Sequence, residues 1–514
     1  MRPALLLTSL IIILASCDNT TQIRTMDVEV AVIPTPKEIS IPEQGLILTE
    51  LSKIYFKDEA LKPMLERFRL DLKKLTGLYP ELTSRSCMRV DIIFNIDDQL
   101  QNDEYKIDIS KIIEVSGGNY QALVMAQTTL LQLVFIKDEN VCFPVVNIRD
   151  KPTAKYRGLM IDLARNWHSI KTIKTLIDLA AFYKTNYLHL HFSDYQSYTL
   201  PSKKYPKLST PDKHYSFFEL QKLESYSQSR GITIIPEIDL PGHSSSIVNA
   251  YPEIFAISAY EENPWIINMG KEEVYTAIDE IIGEIASVFK ATPYIHIGGD
   301  EAIFYKSEED PHVKAYMKKH ELGVDIHELY RHFIVRCNDI VKRYDKQMCV
   351  WEGFGREGEV EIPKDILVFE YETNRYLPNH LVADGYQVVN TSWKPLYVVN
   401  QKKWAPRAIY NWNMWHWENW FDKAPSFVPI QLEKSPLIIG AEMCAWEQAE
   451  ERELPSLRKR LPVLNERIWN TEEVISYQSF IGQLEQLDLK LSLLLADDRQ
   501  DELLYDYNFE KEEE

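Results

Sequence analysis

Apolar and polar positions along this chain fall into two regimes that meet near residue 150. From Arg157 onward, short apolar runs at 158–164, 187–193, 232–238, 293–299, 347–351, 366–371, 386–391 and 437–446 alternate with longer stretches. Runs of this length predict buried strands. Several intervening stretches, 173–183, 217–229 and 274–289 among them, repeat their apolar positions with helical period and have Thr or Ser near their starts. Buried parallel strands separated by helices form a closed barrel or a doubly wound sheet, and a count of eight favours the (β/α)8 TIM barrel, placed at 151–475. Residues 28–150 mix short apolar runs, at 92–94 and 112–115, with an amphipathic segment over 120–134, and predict a smaller α/β accessory domain. Residues 476–514 predict a C-terminal helix and an acidic tail.

The first residues do not belong to either unit. Arg2 precedes an apolar run from Leu5 to Leu14, too short for a comfortable bilayer span, and Ala15-Ser16-Cys17 follows. This reads as an export signal, and Leu14-Ala15-Ser16-Cys17 resembles a bacterial lipobox, in which Cys17 takes the lipid. An exported bacterial lipoprotein, periplasmic or on the outer membrane or cell surface, is expected, with an ordinary secretory signal and an incidental cysteine as the other reading. Residues 18–27 would be its tether, and the anchor its sole tie to the membrane. Of the six cysteines, those other than Cys17 are scattered and lack CxxC spacing, which argues for buried thiols; a Cys337–Cys349 bridge is the one pairing considered.

The formal net charge of -20 opposes a nucleic-acid partner, since binding a polyanion needs clustered Lys and Arg. No GxGxxG or GxxxxGK[ST] stands at a strand-to-helix turn, which disfavours nucleotide binding.

Polar residues gather where the strands end. Arg157 and Asp162 flank the first, His189, His191 and Asp194 lie on or after the second, and Glu237, Asp239 and His243 follow the third. His296, Asp300 and Glu301 close the fourth, Trp351 and Glu352 the fifth, Trp393 follows the seventh, and Trp446 and Glu447 end the eighth. In a barrel, strand C-termini share one face, so residues dispersed in sequence converge there. In Gly298-Gly299-Asp300-Glu301 two glycines precede two successive carboxylates. Adjacent Cα atoms are about 3.8 Å apart and neighbouring strand side chains point to opposite sides, so the two cannot easily straddle a glycosidic bond as an acid and nucleophile about 5–5.5 Å apart do. One carboxyl can act as acid while its neighbour orients something else.

The segments Arg157-Gly158-Leu159-Met160-Ile161-Asp162, His189-Leu190-His191-Phe192-Ser193-Asp194, Pro236-Glu237-Ile238-Asp239-Leu240-Pro241-Gly242-His243-Ser244 and His296-Ile297-Gly298-Gly299-Asp300-Glu301 resemble glycoside hydrolase family 20, the β-N-acetylhexosaminidases. Val32-Ile33-Pro34-Thr35-Pro36-Lys37 resembles the start of that family's accessory domain. The resemblance implies exo-acting removal of terminal β-linked N-acetylglucosamine or N-acetylgalactosamine, without metal or cofactor. In that mechanism the substrate's 2-acetamido oxygen attacks the anomeric carbon in place of an enzyme nucleophile, one of the recognised exceptions to the two-carboxylate scheme. Glu301 would be the general acid and then the base, with a raised pKa, and Asp300 would hold the acetamido N–H. By the same resemblance Arg157 would hold sugar hydroxyls, and Asp194 and His243 would support the acid. Trp351, Trp393 and Trp446 would box the acetamido group, and Tyr410 would position its carbonyl. Two positions depart from the family: Tyr195 replaces a common second Asp, and Gln448 replaces the glutamate expected on the sugar 4- and 6-hydroxyls.

Two other readings remain open at this level. A metal-dependent amidohydrolase barrel could use His189-x-His191 with His243, His296 and Asp300. A non-catalytic glycan-binding lipoprotein could use the tryptophans and Arg157 alone, although a binder needs no acid.

Overall fold

The computed structural model describes residues 22–25, 30–40, 43–85, 90–258, 260, 264–400, 402–420, 427–472 and 475–495. Eight parallel strands form a ring: Tyr156–Asp162 (β1), Tyr187–His191 (β2), Thr233–Glu237 (β3), Tyr294–His296 (β4), Gln347–Trp351 (β5), Leu367–Glu370 (β6), Gln387–Asn390 (β7) and Ile438–Ala445 (β8). Each pairs with the next, and β8 closes on β1 with Ala441 opposite Arg157. Each apolar run of the second regime overlaps one strand, the first of which starts two residues early, at Tyr156. The seam needs a glycine: a Cβ on Gly440, at φ +158, would lie 1.8 Å from the Tyr156 carbonyl oxygen.

Helices Ile170–Phe182, Phe217–Gln228, Glu272–Val288 and Ile326–Lys342 cover the outside of the ring. Ser169, Ser216 and Asp325 cap three of them by accepting from backbone N–H groups of the first turn, Ser216 within a capping box closed by Glu219. The alternation weakens towards the end. Between β7 and β8 the chain forms short pieces, Tyr397–Val399 beside β8 and the helix Pro406–Tyr410, instead of one covering helix.

The accessory domain carries a seven-stranded sheet and the helices Lys62–Thr76 and Tyr120–Leu133. The second helix departs from its amphipathic expectation: every residue from Ala122 to Leu133 is buried, Gln127, Thr128, Thr129 and Gln132 included. The cause is burial on two sides, by its own sheet and by the N-terminal end of the barrel. Gln132 Nε2 donates to the carbonyls of Ile33 (2.8 Å) and Phe182 (2.7 Å), satisfying an amide that burial would otherwise penalise. Trp469, at the end of the last barrel helix, likewise donates to Asp150 Oδ1 at 3.0 Å. The C-terminal helix Tyr477–Leu495 packs on both Lys62–Thr76 and Ile170–Phe182 and ties the two units together.

Part of the expected tether is structured: Gln22–Thr25 pairs antiparallel with Gln44–Leu48. Cys337 and Cys349 are buried free thiols, so the bridge considered between them is not formed. Cys17, Cys87 and the acidic tail lie outside the described residues. Among the described residues no helix is long and apolar enough to cross a membrane.

Candidate active site

Carboxylates, histidines and aromatic rings converge at the C-terminal ends of the strands. After β4 the backbone turns through Gly298 (φ +72) and Gly299 (φ +103), and a Cβ on Gly298 would lie 1.7 Å from Asp239 Oδ1. Only glycine lets β4 pass so close to the β3 loop. Asp300 is thereby set into the barrel mouth at 9% exposure, while the Glu301 side chain remains half exposed.

Their charge states diverge for physical reasons. Burial, helped by the neighbouring charges of Glu301 and Glu237, pushes Asp300 up to about 6 although His243 opposes it. A hydrogen bond with His243 holds Glu301 below the ordinary glutamate value. This corrects the expectation of a raised Glu301: in the open pocket its carboxylate is half-solvated and faces a cation. Burial disfavours a charged His243, but Asp239, Asp194, Glu301 and Asp300 surround it and raise it to about 12. Its Nε2 lies 3.5 Å from Glu301 and 3.8 Å from Asp300, and its Nδ1 is 3.2 Å from Asp194.

Asp194 is the hub behind this pair. It meets His191 Nε2 at 3.1 Å, His243 at 3.2 Å and Arg165 Nη2 at 2.6 Å. Burial works against its charge, yet hydrogen bonds from both histidines and the charge of the arginine hold it well below the usual aspartate range. His191 continues inward to Glu237 at 2.6 Å, and Trp351 Nε1 donates to the other Glu237 oxygen, also at 2.6 Å.

Trp351, Trp446, Trp393, Tyr371 and Tyr397 line the other side. Ring centroids are 5.7 Å apart for Trp351–Trp446, 6.0 Å for Trp351–Tyr371 and 5.6 Å for Trp393–Tyr397. Apolar faces and water exclusion suit a methyl group and the face of a pyranose. Asp300 Oδ1 is buried with no hydrogen-bond partner among the described residues, an acceptor that a ligand N–H would satisfy.

Three expected contacts are not formed here. Arg157 begins β1 instead of ending it, so its guanidinium lies at the opposite end of the barrel, donating to the carbonyls of Ala154 and Lys184. The arginine at the pocket is Arg165, in the loop after β1, paired with Asp162 (3.0 Å) and Asp194 and lying 5.0 Å over Trp446. Tyr410 packs against Tyr477 and Phe480 beneath the C-terminal helix, and its hydroxyl donates to Ile475. Gln448 is fully buried: its Nε2 donates to Val398 and Trp446 carbonyls and its Oε1 accepts from Ser456. The exposed group at that rim is Glu447, 3.9 Å from Arg165 Nε.

The tyrosine for the pocket is Tyr397. Its ring packs against those of Trp393 and Trp446, with centroids 5.6 and 6.3 Å apart, and its hydroxyl feels the charge of Asp300. A phenol hydroxyl placed there has an O–H to donate into the box. Tyr397→Phe is therefore expected to lower kcat about 10-fold or more while leaving the melting temperature nearly unchanged. Tyr410→Phe should keep kcat and cost about 1 kcal/mol of stability, one buried hydrogen bond. Steady-state kinetics and thermal melts on both variants check the assignment.

Some backbone strain lies here too. His243, Glu301 and Glu447 adopt φ of +51, +46 and +58, unusual for residues with a Cβ. Tyr195 and Trp265, with ring centroids 5.6 Å apart, rim the pocket beside Glu301, and Trp420 stacks on Trp393 at 5.1 Å. The signal for these residues was their loop position among aromatics. Nothing local distinguished Arg165 from Arg157.

The catalytic-domain description of glycosyl hydrolase family 20 matches residues 155–472, and that family's domain 2 matches 29–151. The chain belongs to glycoside hydrolase family 20. Among curated relatives, the β-hexosaminidase of Vibrio furnissii is 27% identical over 73% of this chain and 65% of its own length. That of Porphyromonas gingivalis is 28% identical over 64% of this chain and 46% of its own. The chain thus matches less than two thirds of either relative. The solved β-N-acetylhexosaminidase of Bacteroides fragilis superposes with a TM-score of 0.76 at 24% identity, covering 89% of this chain and 95% of that one. A Vibrio harveyi family 20 exo-β-N-acetylglucosaminidase superposes with 0.77 at 23% identity, covering 92% and 79%.

Within this family the amidohydrolase reading is not favoured. His189 is held between Glu442 (3.0 Å) and Glu237 (3.1 Å), and His191 between Glu237 and Asp194, so the His-x-His pair serves a carboxylate network.

Proposed function

We propose that the chain is an exo-acting β-N-acetylhexosaminidase that cleaves terminal β-linked N-acetylglucosamine or N-acetylgalactosamine with help from the substrate's own acetamido group. One observation carries this: Asp300 presents a buried, unpartnered oxygen inside an aromatic box, while the adjacent Glu301 faces the open side. Asp300 accepts the acetamido N–H, aims the carbonyl oxygen at the anomeric carbon and offsets charge on the oxazolinium as the glycosidic bond breaks. Tyr397 donates to the acetamido oxygen. Glu301 gives its proton to the leaving oxygen, then takes one from the water that opens the oxazolinium. Sugar binding covers Glu301 and strips its water, which moves its pKa upward toward the acid role. Arg165 and Glu447 offer a donor and an acceptor to sugar hydroxyls.

The test is a comparison of aryl β-N-acetylglucosaminide, β-N-acetylgalactosaminide and β-glucoside turnover, with a thiazoline analogue of the oxazolinium as inhibitor. Strong preference for the acetamido sugars with tight thiazoline inhibition is expected. Equal cleavage of the plain glucoside refutes the mechanism.

A pH profile follows from the paired carboxyls. Turnover needs one proton, on Glu301, and none on Asp300. The singly protonated pair vanishes as pH rises through the Asp300 value of about 6. Above that point kcat/KM should fall about tenfold per pH unit. Asp300→Asn should move this limb to lower pH, toward the depressed value of Glu301. A limb unchanged in that variant would assign the titration to another group.

Export and lipid attachment at Cys17 belong to the same proposal and rest on Leu14-Ala15-Ser16-Cys17. Cys17→Ala should release the protein from the membrane fraction; retention there would refute the anchor.

A further inference from the structure

Arg157 lines a cavity of about 220 Å³ between the accessory helix Tyr120–Leu133 and the N-terminal ends of β1, β2 and β3, remote from Asp300. The residue is 3% exposed, with Nε donating to Lys184 O at 2.9 Å, Nη1 to Ala154 O at 2.8 Å and Nη2 facing Met125 Sδ at 3.5 Å. These contacts use three of its five N–H donors. Among the described residues no carboxylate is within ion-pair distance of it, whereas Arg165 and Arg230, also well buried, each have at least one. Lys155, Lys184 and Arg230 line the same cavity, and Asp103 is its single lining carboxylate. Arg230 is neutralised by Asp178, and Lys184 is buried, with its ammonium donating to Tyr105 Oη at 3.1 Å. On a chain of net charge -20 this is a local excess of positive charge around a partly open cavity.

Burying a guanidinium without a counter-charge is costly, and such groups are normally paired. Burial lowers Arg157 to about 10 although the charges of Asp103 and Asp150 oppose it, and lowers Lys184 to about 8 against Asp150 and Glu466, with Arg157 adding to the shift of Lys184. A bound anion would relieve both. The space exceeds what one ordered water needs, a share of about 30 Å³ in the liquid. Asn186, Thr185 and Thr233 add neutral polar groups to the lining, and Met125 and Val124 an apolar wall.

We infer that this interdomain cavity is a binding site for a small oxyanion, phosphate or carboxylate in type, with Arg157 as its buried anchor and Lys155 at its open rim. The site is separate from the catalytic pocket and does not depend on the hydrolase reading.

The test is calorimetric titration of the purified chain with inorganic phosphate, and separately with glucuronate, at an ionic strength held constant with sodium chloride. One saturable site is expected for at least one of them, and their relative affinities distinguish a phosphate from a carboxylate ligand. Arg157→Met should weaken binding at least tenfold, but it also removes the bonds to Ala154 and Lys184. The decision therefore rests on two rim changes that leave those bonds intact. Lys155→Gln should weaken affinity about 2- to 5-fold, and Asp103→Asn should tighten it by a similar factor, as partly solvated charges do. Opposite shifts in the two variants support the site. Absence of saturable binding by either anion, or no shift in either variant, overturns it.

Discussion

Glu301→Gln is expected to lower kcat for a disaccharide, whose leaving group is a poor one, by about 10²- to 10⁴-fold, the usual worth of a positioned proton donor. An activated aryl glycoside, whose leaving group departs without a proton, should lose far less in its first step. The geometry supports this division. Glu301 is the half-exposed member of the pair, at the rim with Tyr195 and Trp265, where an aglycone would lie. Gln preserves the shape and the contact with His243 but carries no transferable acidic proton. Comparing kcat for the two substrates in the variant measures the difference directly. Equal losses for both would remove Glu301 from the acid role.

Asp300→Asn should behave in the opposite way. Its loss, about 10²- to 10³-fold in kcat, is the cost of removing one preorganised electrostatic contact to the transition state. It should be nearly the same for good and poor leaving groups, because acetamido attack on the anomeric carbon accompanies departure in either case. Asn can still accept a hydrogen bond through its carbonyl oxygen, so KM should move little while kcat falls. Asp300 lies deeper than Glu301, with an oxygen that has no protein partner among the described residues and with His243 3.8 Å away. If the Asn variant showed the leaving-group dependence expected of Glu301→Gln, the two roles would have to be exchanged.

These variants separate because side chains that adjoin in sequence meet different surroundings. Gly298 and Gly299 turn the chain so that residue 300 faces the barrel mouth, where Glu237 and Asp239 crowd it, and residue 301 faces His243 and solvent. The raised carboxyl is Asp300 and the lowered one Glu301, the reverse of what the acid role alone suggests for Glu301. Burial raises Asp300, and His243, which arrives from the β3 loop, lowers Glu301.

Much of this was legible in the residues alone. The eight apolar runs, the helices over 170–182, 217–228 and 272–288, and the Asp300-Glu301 step are local features, governed by side-chain period and adjacency, and each appears close to its expected place. What only the tertiary structure decided is which end of an element a side chain occupies and what meets it there. Arg157 and Asp162 bound the same strand, yet at about 3.3 Å per residue they stand some 16 Å apart, at opposite ends of the barrel. Arg165 therefore serves the pocket, and Arg157 faces the accessory domain. Tyr397 rather than Tyr410, and Glu447 rather than Gln448, reach the site for the same reason. The loop between β7 and β8 has no period to read, and its path is set by packing against β8 and the C-terminal helix, contacts made by residues far away in the chain.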